Sequence, residues 1–389
     1  MSRVAIAPGL MILICLGLVA SAGGQKSEQQ QLTAEQYVQQ GNAYAREEQY
    51  DKAVDAFRLA IKLNPNLAAA YSGLGAAYSN MGRVGDALEP LTAAVRLEPA
   101  NAGAHLNLGV VLASLRRPDE AMTELTEAKR LAPTNANIHN EIGNVLHNHF
   151  GRFDDALAAY IEARRLNSNV PAFHHNIGLM LMRLGRFSEA VGPFEEALRL
   201  YPAYSDARYF LSEAYTKTGS YDKATDSWTK FLELVPNDPD ALTNRSWTFL
   251  YQGSHGREAA IDARKFLDVY GWLKETSPYL AVMASLGYRE AGMNSEAQEI
   301  LEEATEKSKT GSWPYSIIRY LTGEVSADEL LQLATDNDKK TEAHAYLGMD
   351  LLLKGKSDEA RIQFRWVKDY GNKRFFEYPL AIEQLKRLR

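Results

Sequence analysis

Small and apolar positions return along the chain on three tracks that keep one register. Gly41, Gly75, Gly109 and Gly143 stand 34 residues apart, Gly178 follows after 35, and Ser212 and Ser246 continue at 34. Ala53, Ala87, Ala121, Ala156, Ala190, Ala224 and Ala259 take the same steps. A third track runs through Pro65, Pro99, Pro133, Pro202 and Pro236, with Ser168 where one proline is missing. Self-similarity at such a period marks stacked supersecondary units. Within each period the apolar spacing predicts a helix, a tight turn and a second helix. The first unit reads "YVQQGNAY" (37–44) followed by Ala53, Phe57, Ala60 and Pro65; the second reads "YSGLGAAY" (71–78) followed by Ala87, Leu91, Ala94 and Pro99.

Each small residue has a packing reason. Gly75 and Ala87 let the two helices of a unit approach, while Tyr78 and Leu91 fill the space around that contact. Gly82, Gly151, Gly185, Gly219 and Gly253 are expected to end the first helices. Asp51, Asp119, Ser188 and Asp222 fall at the start of the second helices, where side-chain oxygens and negative charge are expected to satisfy free amides. The prolines stop the second helix.

The period and these residues resemble the tetratricopeptide repeat. The resemblance implies an all-α, right-handed solenoid of antiparallel helix pairs, with first helices lining a concave face. It covers nearly everything after residue 34, as about nine pairs and a C-terminal capping helix. Residues 34–276 read as an array of about seven repeats, and 277–389 as a looser helical region. Within the latter, Tyr288, Gly292, Ala297, Leu301 and Ala304 mark another unit. Residues 312–340 predict an irregular pair of short helices broken at Gly323, the second opened by a capping box from Ser326 to Glu329. His344, Leu347, Gly348, Leu351, Gly355, Ala360 and Phe364 return to pattern, and 377–389 reads as the capping helix. Its outer face is expected to be polar through Glu383, Gln384, Lys386 and Arg387. The segments "YLTGEVS" (320–326) and "YLGMDLLLKG" (346–355) resemble the C-terminal half of Nlp-type tetratricopeptide lipoproteins of the Gram-negative envelope. That resemblance implies a non-enzymatic adaptor that gathers proteases and wall hydrolases. Cys15 follows Ile14 rather than a small residue, which departs from the lipoprotein pattern.

The N-terminus follows other rules. Arg3, the apolar run "GLMILICLGLVA" (9–20) and Ala20-Ser21-Ala22 read as a signal peptide over 1–22. Residues 23–33, "GGQKSEQQQLT", read as a flexible Gln-rich leader. An exported protein of the periplasm or cell envelope is therefore expected, touching a membrane only through the N-terminal segment if that stays uncleaved. Cleavage would remove Cys15, the only cysteine, leaving no thiol or disulfide. The 389 residues, 46% hydrophobic and 24% charged with formal net charge −6, suit a soluble globular chain. No basic patch stands out, so nucleic acid is not an expected partner.

The stretch "HHNIG" (174–178) invites a metal reading. His174 continues the track Tyr37, Tyr71, His105, His139, a packing position. His175, one residue on, is expected to face the concave side. A zinc site of His175, His147 and His149 falls short of the four well-spaced ligands that structural zinc takes, and no metal, cofactor or catalytic residue is expected. "GKS" (355–357) lacks the first glycine of a phosphate loop, since position 350 is Asp350. The concave face carries Asn42, Asn107, Asn140, Asn144 and Asn176, and an amide can both donate to and accept from the backbone of an extended peptide. This row resembles the array of the O-linked GlcNAc transferases, without their catalytic domain. Val38, Gly73 and Gly103 stand where chaperone-binding repeats keep a carboxylate clamp. Tyr209, Glu213, Lys217, Trp247 and Tyr251 add aromatic anchors and mixed charge. The expected function is a non-catalytic scaffold or adaptor binding peptide segments or partner proteins in the concave groove. The alternatives are an envelope enzyme or enzyme subunit for peptidoglycan or glycan processing, with its site in the C-terminal helical region, and self-association through exposed ends.

Overall fold

The computed structural model describes residues 32–272, 274–308, 311 and 313–388. The expected signal peptide and residues 23–31 of the Gln-rich leader lie outside the described residues. Among those described there are 21 helices and no strand. The chain divides into two compact units. The first, up to Glu98, holds α1 (Ala34–Arg46), α2 (Tyr50–Leu63), α3 (Ala68–Asn80) and α4 (Val84–Leu97). The second begins with α5 (Ala102–Ser114), α6 (Pro118–Leu131), α7 (Ala136–Asn148), α8 (Phe153–Leu166), α9 (Pro171–Arg183) and α10 (Phe187–Leu200). It continues through α11 (Ser205–Lys217), α12 (Tyr221–Leu234), α13 (Pro239–Gln252), α14 (Gly256–Tyr270), α15 (Ser277–Glu290) and α16 (Asn294–Lys307). It ends with α17 (Trp313–Leu321), α18 (Ala327–Leu333), α19 (Asn337–Leu353), α20 (Ser357–Tyr370) and α21 (Glu377–Arg387).

Close approach within each pair explains the glycine track. A Cβ on Gly41 would come 2.7 Å from the Phe57 ring, and one on Gly75 2.4 Å from Leu91. In the second unit the same contact pairs Gly109 with Leu125, Gly143 with Tyr160, Gly178 with Phe194 and Gly348 with Phe364. Only a residue without a side chain lets these fully buried bulky groups lie against the facing backbone. Where serine replaces glycine, its hydroxyl is bonded: Ser212 donates to Arg208 O at 2.7 Å, and Ser246 to Ala259 O at 2.8 Å.

The turns after the first helices need a left-handed residue. Gly82, Gly185 and Gly219 have φ 73° there, and Gly151 and Gly253 have φ 64°. Glu48 (φ 60°) and Arg116 (φ 58°) hold the same conformation without being glycine. The expected side-chain caps of the second helices are not the ones observed. Asp51, Asp119, Ser188 and Asp222 lie one residue inside the helix, and α2, α6, α10 and α12 carry no side-chain cap bond. At that place Asp51, Asp119 and Asp222 contribute negative charge to the helix start, and Ser188 contributes none. At α4, α6, α8 and α10 an arginine at the cap position pairs with the acid three residues on: Arg83 with Asp86, Arg117 with Glu120, Arg152 with Asp155 and Arg186 with Glu189. All are solvent-exposed pairs of small energetic weight.

The closing helix departs from expectation. It does not present a simple polar outer face, because Glu377 and Gln384 are buried. α21 packs on α19 and α20, then turns back onto α13, the first helix of an earlier repeat.

Candidate functional site

Within the second unit α5 lies beside α7, α9 beside α11, and α11 beside α13, so first helices form a shared face. The histidine track stands behind it and ties repeats to their turns. The Nε2 atoms of His105, His139 and His174 lie 3.0, 2.8 and 2.8 Å from the carbonyls of Pro99, Pro133 and Ser168, six residues back in each case. Arg208 makes the equivalent bond to Pro202 O.

The asparagines are held in a ladder. Asn140 and Asn144 both donate to Glu141, each at 3.0 Å. Asn176 Nδ2, on α9, donates to Asn140 Oδ1 on α7 at 2.9 Å. Asn144 Oδ1 accepts the Tyr160 hydroxyl at 2.8 Å, and burial keeps that phenol protonated well above its usual range. A cavity of 440 Å³ beside the ladder is lined by Arg116, Glu141, Asn144, Asn148 and His149. Asn107 is half-buried on α5. Asn42 is exposed on α1 and belongs to the first unit.

His175 is not on an open face. Its ring lies 5.0 Å from Tyr204, 5.7 Å from Phe194 and 5.8 Å from Phe210, centroid to centroid. The aromatic side chains of α10, of Tyr204 just before α11 and of α11 itself enclose it, and its Nδ1 is buried without a hydrogen-bond partner. Burial pushes the imidazole's pKa down, so the neutral ring is favoured. Among the described residues no three His, Cys, Asp or Glu side chains gather as a metal site would require.

A second cavity, of 480 Å³, opens between α11, α13 and the end of α14, with walls that include Tyr209, Glu213, Asp240, Tyr270, Lys274 and Phe376. Tyr209 stands edge-on to Trp228 at 5.0 Å and to Phe231 at 5.4 Å, which fixes its ring. Burial, then the nearby Asp240, Glu213 and Asp238 carboxylates, push its hydroxyl up to about 12. Burial raises the Glu213 carboxyl against the opposing pull of Lys217 and Arg183. Lys217 is exposed on the same helix.

Trp247 and Tyr251 are not groove anchors. They are only 3% and 1% exposed, because the C-terminal fold-back covers them. Phe376 stacks on Trp247, Tyr251 donates its hydroxyl to Phe376 O at 3.0 Å, and the Arg387 guanidinium donates to Tyr251 O. Tyr221 also reaches Glu383, at 3.4 Å.

The carboxylates of the C-terminal region hold helices together. Glu342, on α19, accepts Trp313 Nε1 at 2.8 Å and the Tyr279 hydroxyl at 3.3 Å. Burial, then the charge of Glu377, push its pKa up to about 8. Glu377 accepts the Tyr346 hydroxyl at 2.7 Å and is itself raised by burial. Burial opposes ionisation of Asp350, but bonds from Lys354, Tyr320 and Arg289 hold its carboxyl below the usual range. These acids meet tryptophan, tyrosine, lysine and arginine donors from α15, α17 and α19, an arrangement that ties helices rather than one that exposes a reacting pair. Sequence reading missed Glu342, Glu377, Asp240 and Phe376. None has a local pattern to betray it, since their partners are distant in the chain.

Residues 41–82 match a family model described as TPR repeat, and residues 73–136, 150–205 and 177–241 match one described as tetratricopeptide repeat. No curated protein matches the chain. Among solved structures the chain is similar to the C-terminal part of a TPR repeat-containing protein from Cytophaga hutchinsonii. The two are 15% identical over 62% of this chain and 98% of that one, with TM-score 0.50, a likeness of fold. It is also similar to a thermophilic TPR protein of Thermus thermophilus, 25% identical over 47% of this chain and 100% of that one, TM-score 0.42. Pseudomonas aeruginosa pilF is 22% identical over 61% of this chain and 97% of that one, TM-score 0.45.

Proposed function

We propose that this tetratricopeptide-repeat chain is a non-catalytic scaffold that holds extended segments of partner proteins along the first helices of its second unit. The observation that carries this reading is the amide ladder: Asn140, Asn144 and Asn176 are fixed by one another, by Glu141 and by Tyr160 before any ligand arrives. Amides held in place can bond a main chain with little further ordering cost. Such recognition follows backbone rather than sequence, which suits an adaptor with more than one partner. An exported setting in the periplasm or cell envelope belongs to the proposal, on the strength of the pattern in residues 1–22. The adaptor role rests on the resemblance to Nlp-type envelope proteins.

Cross-linking in native envelopes, followed by identification of captured peptides, tests it. The variant carrying Asn107→Ala, Asn140→Ala and Asn176→Ala is expected to lose capture while keeping its helical circular dichroism. Undiminished capture by a folded triple variant would remove the ladder from the binding surface. Turnover of wall or glycan substrates by the pure chain would favour the enzyme reading instead.

A further inference from the structure

We propose that the cavity between α11, α13 and the end of α14 receives a lysine or arginine side chain of the bound segment. The cation would meet Glu213 and Asp240, and its methylene stem would lie against Tyr209 and Phe376. This rests on the reading of the second unit as a peptide-holding face and names the anchor residue that face selects.

Glu213 supplies the first reason. It is half-buried on α11, and among the described residues its side chain shows no hydrogen bond, only the longer-range pull of nearby cations. Lys217 and Arg183 act on it only at longer range. A carboxylate stripped of part of its hydration and left without a partner gains more from an arriving cation than an exposed acid would. An apolar guest would bury the same carboxylate with no compensation.

The rest of the wall favours a cation with a long stem. Tyr209 is a fixed plate, locked edge-on by Trp228 and Phe231. Phe376, 43% exposed, faces the cavity from the C-terminal segment. Aromatic faces attract ammonium and guanidinium groups, and their apolar surface covers methylene stems. The start of α13 also lies at this cavity, and a helix N-terminus ordinarily favours anions. That position is already served: Asp238 accepts the Ala241 amide at 2.8 Å. The remaining positive group of the wall, Lys274, is exposed. Because Phe376 comes from the segment leading into α21, the cavity is complete only with the C-terminal fold-back in place.

The test is an array of random dodecamer peptides probed with the full chain and with its Glu213→Gln variant. Asp240→Asn serves as a second variant, so that one misfolded protein does not decide the matter. Enrichment of lysine or arginine at one position is expected. The selected peptide, remade with norleucine at that position, should bind at least about tenfold more weakly, and Glu213→Gln should bring the two peptides within about twofold. Peptides enriched without any basic preference, bound equally by both variants, would overturn the cation pocket and leave the scaffold reading standing. An array with no enriched peptide at all would overturn both.

Discussion

Trp247 and Phe376 stack with ring centroids 5.4 Å apart and planes 11° from parallel, joining the first helix of a mid-chain repeat to the segment that leads into the last helix. The Tyr251 hydroxyl bonds the Phe376 carbonyl across a sequence separation of 125. Two residues that would otherwise sit on an open inner face are thereby covered. The C-terminal region is thus not an appendage: it covers part of the face formed by the first helices and supplies a wall of the cavity there.

Phe376→Ala is expected to loosen that closure without unfolding the repeats. A stacked aromatic pair is worth about 0.5–1.5 kcal/mol beyond its buried area. Hydrogen exchange should speed selectively in α21, and Trp247 emission should shift red. Unchanged exchange in residues 377–387 would show that the stack does not hold the helix down.

Glu342 makes the C-terminal bundle sensitive to alkali. Its pKa is raised from an unfolded value of 4.5 to about 8, so the folded state favours the protonated acid. That stabilising contribution is fully present below about pH 4.5 and is lost as pH rises through 8. A tenfold difference in proton affinity between the folded and unfolded states corresponds to about 1.4 kcal/mol. Glu342→Gln should therefore flatten the fall in melting temperature between pH 6 and 9. A wild-type curve that does not fall there would contradict a buried protonated Glu342.

His175 acts with the opposite sign. Its folded pKa is depressed from 6.5 by burial, so its contribution is present above about pH 6.5 and lost as pH falls toward the lower folded value. His175→Phe removes both the charge that acid would force inside and the orphaned Nδ1, whose burial costs about 1–3 kcal/mol. The variant should gain melting temperature at pH 5.5 more than at pH 8. Equal gain at both would assign the effect to packing alone.

Glu48 occupies the left-handed turn position that most repeats give to glycine. Glu48→Gly should relieve about 1 kcal/mol of backbone strain, partly offset by the greater freedom of glycine in the unfolded chain. A net rise in denaturant midpoint is expected, with unchanged m-value. A fall would mean that the side chain of Glu48 contributes more than its backbone costs.

The repeating architecture was readable because its causes are local. Gly143 must be small where Tyr160 lies against the backbone, and that requirement recurs with the period of the chain. The histidine track was likewise legible as structural, although its bond to the turn carbonyl six residues back was not. The candidate site was legible only in part. Asn140 and Asn176 could be placed on one face, but the bond between them needs two helices brought side by side. His175 was misplaced because helical phase says which side a residue takes, not which aromatic rings of its own and the next repeat will close over it.

By itself, then, the amino-acid order determined an all-helical repeat, its period, its close contacts and its turns, since each depends on residues within one unit. Tertiary structure alone decided that α21 returns to α13, that Trp247 and Tyr251 are covered, and that Glu342 and Glu377 are buried. The first two outcomes depend on surfaces far apart in the chain meeting one another, and the third on the packing of α15, α17, α19 and α21. No spacing along the chain encodes such meetings, because they follow from how apolar faces left over by the repeats find one another.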